Sequence, residues 1–340
     1  MIRNVLLGSA FALCMISCTD TPNDDPTQQP EVTFRTALDS LNEAIINDPN
    51  NIELYLERCN EWLVAGKHDE AFADLERVLR IDTANAEAYN QRGNLHFLRS
   101  EFSESIEDFK ACLFYDENHT DCLLKKAELD MLLRNYDQAI LNINKALRVD
   151  QNIPQAYFLK GMLYKETGDS AAAASSYATA IDLDPEFYDA YIQAALLYAG
   201  AGDDLALEYY NSALDVKPNS TEALYDKGMY LQETGFRDPI RYQQALQCYR
   251  EIEAVDSTNA AAAFNQGYIY LEYLSHYDSA SVKFGDAIRK YPMYFQAFYN
   301  RGLCFESMDM NDLALNDYNK ALAIRPDYTP AAKAKGRLVP

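Results

Sequence analysis

Beyond residue 31 the apolar residues recur at spacings of three and four, in stretches separated by short turns rich in Gly, Asp and Pro, which predicts a run of amphipathic helices. The stretches come in pairs. "AYNQRGNLHF" from Ala88, "AYFLKGMLYK" from Ala156 and "AFYNRGLCFE" from Ala297 are versions of one first helix, and each precedes a second such as "DQAILNINKALRVD" from Asp137. The unit is 34 residues long, a period that marks a repeat array. Repeats start at Ile52, Ala86, Thr120, Pro154, Tyr188, Thr221, Ala260 and Phe295, giving eight over 52–328.

Each recurring column has a physical reason. Position 8 must be small for two helices to approach, and holds Gly93, Gly161, Gly228, Gly267 and Gly302, with Cys59, Ala127 and Ala195 as substitutes. Position 20 of the second helix is small as well: Ala71, Ser105, Ala139, Ala173, Ala206, Ala245, Ala280 and Ala314. Position 24 supplies bulk through Leu75, Phe109, Ile143, Tyr177, Tyr210, Tyr249, Phe284 and Tyr318. Pro185, Pro218, Pro292 and Pro326 fall at position 32, where a helix has ended and its N–H is expendable. Residues 32–51 read as a lone second helix that caps the array, and 329–340 as a truncated first helix. Two departures in length stand out. Repeat five lacks one turn residue near Gly202–Asp204, and repeat six carries five extra within "FRDPIRY" at Phe236–Tyr242.

These columns resemble the tetratricopeptide repeat (TPR). The resemblance implies an all-α fold: a right-handed α-solenoid of antiparallel helix pairs, about eight repeats long with flanking capping helices. It also implies a concave groove lined by positions 2, 5, 9 and 12 of each first helix. On that mapping the groove begins polar, with Asn60, Asn90 and Asn94 able to bond a peptide backbone. It continues apolar and aromatic through Phe158, Met162, Ile192, Tyr225, Met229, Phe264, Tyr268, Tyr299 and Leu303. Glu53, Glu87, Asp121, Asp189 and Glu222 form an acidic stripe at position 2. The lysines of the chaperone-type carboxylate clamp are missing, which disfavours an acidic C-terminal tail as ligand. The expected partner is a protein or peptide segment, apolar with basic flanks, bound over repeats four to eight.

The first eighteen residues carry a different signal. Arg3 precedes an apolar run from Val5 to Ile16, too short to span a bilayer but suited to the core of a secretory signal. The run stops at Met15-Ile16-Ser17-Cys18, which resembles a bacterial lipobox, so residues 1–17 read as a signal peptide and Cys18 as the lipidated residue. Cys14 is the rival acceptor, with apolar sequence on both sides. Residues 18–31, with Pro22, Pro26 and Pro30, form an extended tether reaching roughly 40 Å at ~3.1 Å per residue. Thr19 after the acceptor points, by Gram-negative sorting rules, to an outer-membrane location facing the periplasm, while Asp20, Asp24 and Asp25 weakly resemble surface-export signals. The membrane is thus reached through the N-terminal lipid alone.

Charge and chemistry narrow the function. With 30 Lys and Arg against 52 Asp and Glu, the net charge of −22 repels phosphate backbones and argues against a nucleic-acid binder. No G-x-S-x-G, H-E-x-x-H, dinucleotide loop or Walker lysine occurs, so no catalytic residue, cofactor or metal is expected. His119 with Cys112 and Cys122 is the nearest approach to a metal set, at a spacing that matches no standard zinc pattern. Cys59 and Cys112 occupy small-residue core positions, and free buried thiols are the expectation; Cys112 and Cys122, flanking one turn, are the sole plausible disulfide pair. Position 11 places His96 and Asp130 in adjacent repeats, where stacking would let them bond. Five Asp-(Ser/Thr)-x triplets, at Asp39, Asp82, Asp169, Asp256 and Asp278, resemble a bacterial O-glycosylation motif but are also ordinary cap and turn chemistry. Arg237 and Arg241 bring positive charge to the insertion of repeat six, for pairing with an acidic partner or the protein's own groove. A non-enzymatic interaction scaffold or adaptor of the cell envelope is the leading reading. A structural envelope protein acting through its acidic convex face is the alternative, and an enzyme comes last.

Overall fold

The structure, a computed structural model, describes residues 36–339. The signal peptide, the tether with Cys18 and the first residues of the 32–51 half-repeat lie outside the described residues. Every element described is helical. A capping helix α1 (Ala37–Asn47) precedes α2 (Ile52–Val64) with α3 (His68–Ile81), α4 (Ala86–Leu98) with α5 (Phe102–Tyr115), and α6 (Thr120–Leu132) with α7 (Tyr136–Val149). Next come α8 (Pro154–Glu166) with α9 (Ser170–Leu183), α10 (Tyr188–Gly200) with α11 (Leu205–Val216), and α12 (Thr221–Thr234) with α13 (Ile240–Val255). The last pairs are α14 (Ala260–Tyr268) with α15 (Tyr277–Lys290) and α16 (Phe295–Ser307) with α17 (Asn311–Ile324), followed by α18 (Thr329–Leu338). No described helix is long and apolar enough to cross a membrane.

Caps and turns fix these boundaries. Asn51, Asn85, Ser220 and Asn259 each accept a backbone N–H of the first turn that follows, satisfying a donor that the helix leaves unpaired. The turn inside every pair but that of repeat six, where Gly235 has φ −58°, uses one residue with positive φ. Gly66, Gly168 and Gly202 supply it at +70° to +86°, and Ser100, Arg134, Ser275 and Asp309 adopt it at +52° to +61°. The Asp residues of four of the five Asp-(Ser/Thr)-x triplets act as turn and cap acceptors: Asp39 for the N–H of Thr36, Asp82 for Ala84, Asp169 for Ala172 and Asp256 for Thr258.

Packing explains the columns. At position 8 a Cβ on Gly161 would stand 2.5 Å from the Tyr177 ring, and one on Gly302 would stand 2.6 Å from the Tyr318 ring. The glycine lets the position-24 ring of its own repeat lie flat on the first helix. In repeat two, Ser105 at position 20 also donates to the Gly93 carbonyl at 2.8 Å, tying the pair together. Tyr177, Tyr210, Tyr249, Tyr318, Phe109 and Phe284 are all fully buried. Three repeats add one more device, a half-buried arginine at position 7 forking onto a buried aspartate at position 23. These pairs are Arg58–Asp74, Arg92–Asp108 and Arg301–Asp317.

A third departure in length escaped the sequence reading. Repeat seven is one residue longer than the 34-residue unit, since the starts at Ala260 and Phe295 lie 35 positions apart. The surplus residue is absorbed in a single π turn, Ile269–Tyr273, at the end of α14. Downstream columns therefore stay in phase.

Candidate functional site

First helices of adjacent repeats touch one another, as α6 does α8 and α10 does α12, whereas second helices of adjacent repeats do so less. The first helices therefore form the inner layer, and their outward-turned residues line the groove. Along it, each position-5 aromatic of the later repeats leans on the position-24 ring beneath. Ring centroids lie 6.1 Å apart for Phe158–Tyr177, 6.2 Å for Tyr225–Tyr249, 5.4 Å for Phe264–Phe284 and 5.9 Å for Tyr299–Tyr318. A second ring joins from the residue that enters the next first helix: Phe187 at 5.0 Å from Phe158, Tyr294 at 4.8 Å from Phe264 and Tyr328 at 5.4 Å from Tyr299. That column holds Asn, Ser or His as helix caps in the other repeats, except for Ile153 before α8, and was not recognised as part of the groove from sequence. Its signal was the aromatic replacing a capping residue.

The predicted groove residues divide by exposure. Phe158, Met162, Tyr225, Met229, Phe264, Tyr268, Tyr299 and Leu303 are half-buried, held by the rings below and open above. Asn60 is exposed and Asn94 half-buried. Ile192 is only 3% exposed and belongs to the core around Tyr210, so it is enclosed and not displayed. Asn90, 4% exposed, is also enclosed, and its side-chain oxygen has no hydrogen-bond partner.

The first three repeats are less polar than the sequence reading expected. At the last turn of each first helix stand Val64, Leu98 and Leu132, exposed by 88%, 65% and 48%. Equivalent positions further on are Glu166, Gly200 and Glu233. This apolar edge was legible as a column but was not read.

Electrostatics concentrate in repeat six. Asp226 has no hydrogen-bond or ionic partner among the described residues, and burial, with the nearby Glu222 charge, pushes its carboxyl up to about 6. On the outer side, Glu253 collects Lys290 at 2.5 Å, Gln266 at 2.6 Å and Lys283 at 2.9 Å. Burial alone would raise the Glu253 carboxyl; these three donors outweigh it and bring it down to about 2.

Three expectations are corrected. Arg237 and Arg241 do not reach the groove. Arg241 forks onto Asp204 at 2.6 and 3.0 Å and bonds Thr234, while Arg237 donates to the Gly202 carbonyl at 2.8 Å. The five extra residues of repeat six thus dock on the shortened turn of repeat five, so the two length departures complement each other. His96 and Asp130 do not pair. His96 meets Glu101 at 2.6 Å and Asp130 takes Lys126 and Asn142, each carboxylate being served inside its own repeat. Finally, Cys112 is not a free thiol but forms a disulfide with Cys122, because the end of α5 and the start of α6 bring their Cα atoms to 6.6 Å. Cys59, Cys248 and Cys304 are free and buried.

A solenoid of stacked antiparallel helix pairs with an aromatic inner face defines the class of protein. Within it, two family models, both described as tetratricopeptide repeat, match residues 154–187 and 295–328, which are repeats four and eight. Over a 161-residue alignment the chain is 30% identical to the probable UDP-N-acetylglucosamine–peptide N-acetylglucosaminyltransferase SPINDLY of Hordeum vulgare. That match covers 36% of this chain and spans only 16% of that relative's length. Among solved structures, YrrB, a TPR protein with an unusual peptide-binding site, is 24% identical and covers 56% of this chain and 99% of its own, with a TM-score of 0.44. The C-terminal part of a TPR protein from Cytophaga hutchinsonii is 21% identical over 66% of this chain and 91% of its own, with a TM-score of 0.49. TPR proteins generally act as protein–protein interaction modules.

Proposed function

We propose that this protein is a non-enzymatic interaction scaffold of the bacterial cell envelope, held to the outer membrane by lipid on Cys18. Its groove over repeats four to eight receives an apolar segment with flanking Lys or Arg. The observation that carries this reading is the row of half-open rings along the first helices. Phe264, Tyr268 and Tyr294 stack into one ledge, and on the first helix of repeat six Asp226 has no cationic partner among the described residues. Aromatic rings already packed from below lose little freedom when a ligand covers them, which makes them good anchors. A basic side chain beside Asp226 would supply the charge the site lacks.

Site-specific photo-crosslinking in the native host tests the proposal. A photoreactive residue at Tyr225 or Tyr268 should capture a defined partner, and one at Phe114 on a second helix should not. Adducts from Phe114 alone would overturn the groove reading and favour the outer face. For the anchor, Cys18→Ser should abolish labelling by a fatty-acid analogue; unchanged labelling would remove the lipid from the proposal, and labelling lost only in Cys14→Ser would move it.

A further inference from the structure

The junction of repeats two and three gathers three donors that the groove does not use. Cys112 ends α5, His119 caps α6 and Cys122 lies in the first turn of α6. Both sulfurs are fully buried, and one ligand atom from each of the three residues lies within 4.8 Å of the other two. Among the described residues no other group of three His, Cys, Asp or Glu comes together in this way. The imidazole is oriented from behind. His119 Nε2 meets Glu87 Oε2 at 3.1 Å, and the other Glu87 oxygen accepts from Gln91 at 2.7 Å. A carboxylate only accepts, so Nε2 carries the proton, and the Nδ1 lone pair accepts the Cys122 backbone N–H at 3.4 Å as the cap of α6, a long hydrogen bond that a metal ion at Nδ1 would replace.

We propose that Cys112, Cys122 and His119 Nδ1 form a binding site for one thiophilic divalent cation, zinc(II) above all, which the dithiol form of this junction holds and the disulfide form excludes. Two thiolates and an imidazole form a soft donor set that selects zinc over magnesium or calcium. The Glu87 carboxylate behind the ring is the outer-shell partner that metal-bound histidines use to fix tautomer and basicity. Tetrahedral binding, with bonds of about 2.3 Å to sulfur and 2.0 Å to nitrogen, places the donors roughly 3.5–3.8 Å apart. The three ligand atoms already lie within 4.8 Å of one another; reaching that geometry requires the two sulfurs, bonded to each other in the disulfide, to separate by rotation of their side chains. His119 keeps 15% of its side chain exposed, which leaves the fourth position to water from that side.

The chemistry balances. A thiol or phosphine reductant delivers two electrons, the Cys112–Cys122 sulfur–sulfur bond breaks, and each sulfur takes up one proton. Zinc then binds with loss of both thiol protons, forming two zinc–sulfur bonds and one zinc–nitrogen bond. A low-molecular-weight disulfide takes the two electrons back, being reduced with two protons to two thiols, while the Cys112–Cys122 bond re-forms and the ion is released. The sequence already singles out these three residues, but their spacing matches no linear zinc pattern because they come from two helices and the turn between them.

The full chain tests the site. After reduction by a trialkylphosphine and anaerobic desalting, it is titrated with cobalt(II), followed by its thiolate-to-cobalt charge-transfer band, and with zinc(II), followed by elemental analysis. One zinc per chain is expected for the reduced protein and none for the oxidised protein. His119→Asn should bind at least about tenfold more weakly while remaining helical, because Asn caps the equivalent helices at Asn85 and Asn259. Glu87→Gln should weaken binding by about 10- to 100-fold, and Cys59→Ala should leave it unchanged. A reduced, helical chain that retains no zinc overturns the proposal. Binding that survives His119→Asn unchanged, or is lost only in Cys59→Ala, does so too.

Discussion

Asp226→Asn separates stability from binding in one substitution. The Asp226 carboxyl titrates near 3.8 unperturbed and at about 6 in the fold, because burial and the Glu222 charge disfavour its anion. A raised carboxyl contributes stability below about 3.8, and that contribution is lost as the pH rises through about 6. At pH 7 the fold therefore carries an unfavourable charge. Two pKa units would correspond to about 3 kcal/mol in a dry site, and solvent reaching this half-buried group reduces the cost to about 1 kcal/mol. Removing the charge with an amide of the same shape should raise stability by that amount at pH 7 and leave it unchanged near pH 3.5. Urea denaturation at both pH values, with unchanged slope, reads this directly. The same variant should lose affinity for a partner captured at Tyr225 or Tyr268, since the charge that strains the free protein is the one proposed to meet a basic side chain. A variant less stable at pH 7 would refute the reasoning, because it would mean that a cation already neutralises Asp226 in the free chain.

Other outcomes follow from the same structure. Tyr177 hides a hydroxyl that has no partner, whereas the Tyr318 hydroxyl donates to Glu306 at 2.5 Å. Tyr177→Phe should therefore be neutral or stabilising by about 1 kcal/mol, and Tyr318→Phe should cost about 1.5–3 kcal/mol in the same denaturation assay. Glu253, held down to about 2, contributes stability that is complete above about 4.5 and lost as the pH falls toward 2, so Glu253→Gln should flatten acid unfolding monitored by circular dichroism over that range. Arg241→Ala frees the insertion from Asp204 and Thr234, and limited trypsin digestion should then cut at Arg237 faster than in the unmodified chain.

The sequence by itself determined the helix pairs, their 34-residue phase and the small-against-large columns, because those depend on local propensity and on contacts within one repeat. Gly161 against Tyr177 is such a contact, recoverable from spacing alone. The fate of residues at the joints between repeats was different. Whether Ile192 faces the groove or the core, whether Asp204 waits for Arg241, and whether Cys112 meets Cys122 depend on how far each repeat turns relative to the last. That turn is the sum of many small packing contacts, and a length change alters it without leaving a motif. The π turn of repeat seven and the docked insertion of repeat six show this most clearly: the sequence displays the surplus residues, and only the tertiary structure decides where a solenoid with almost no slack between its layers can put them.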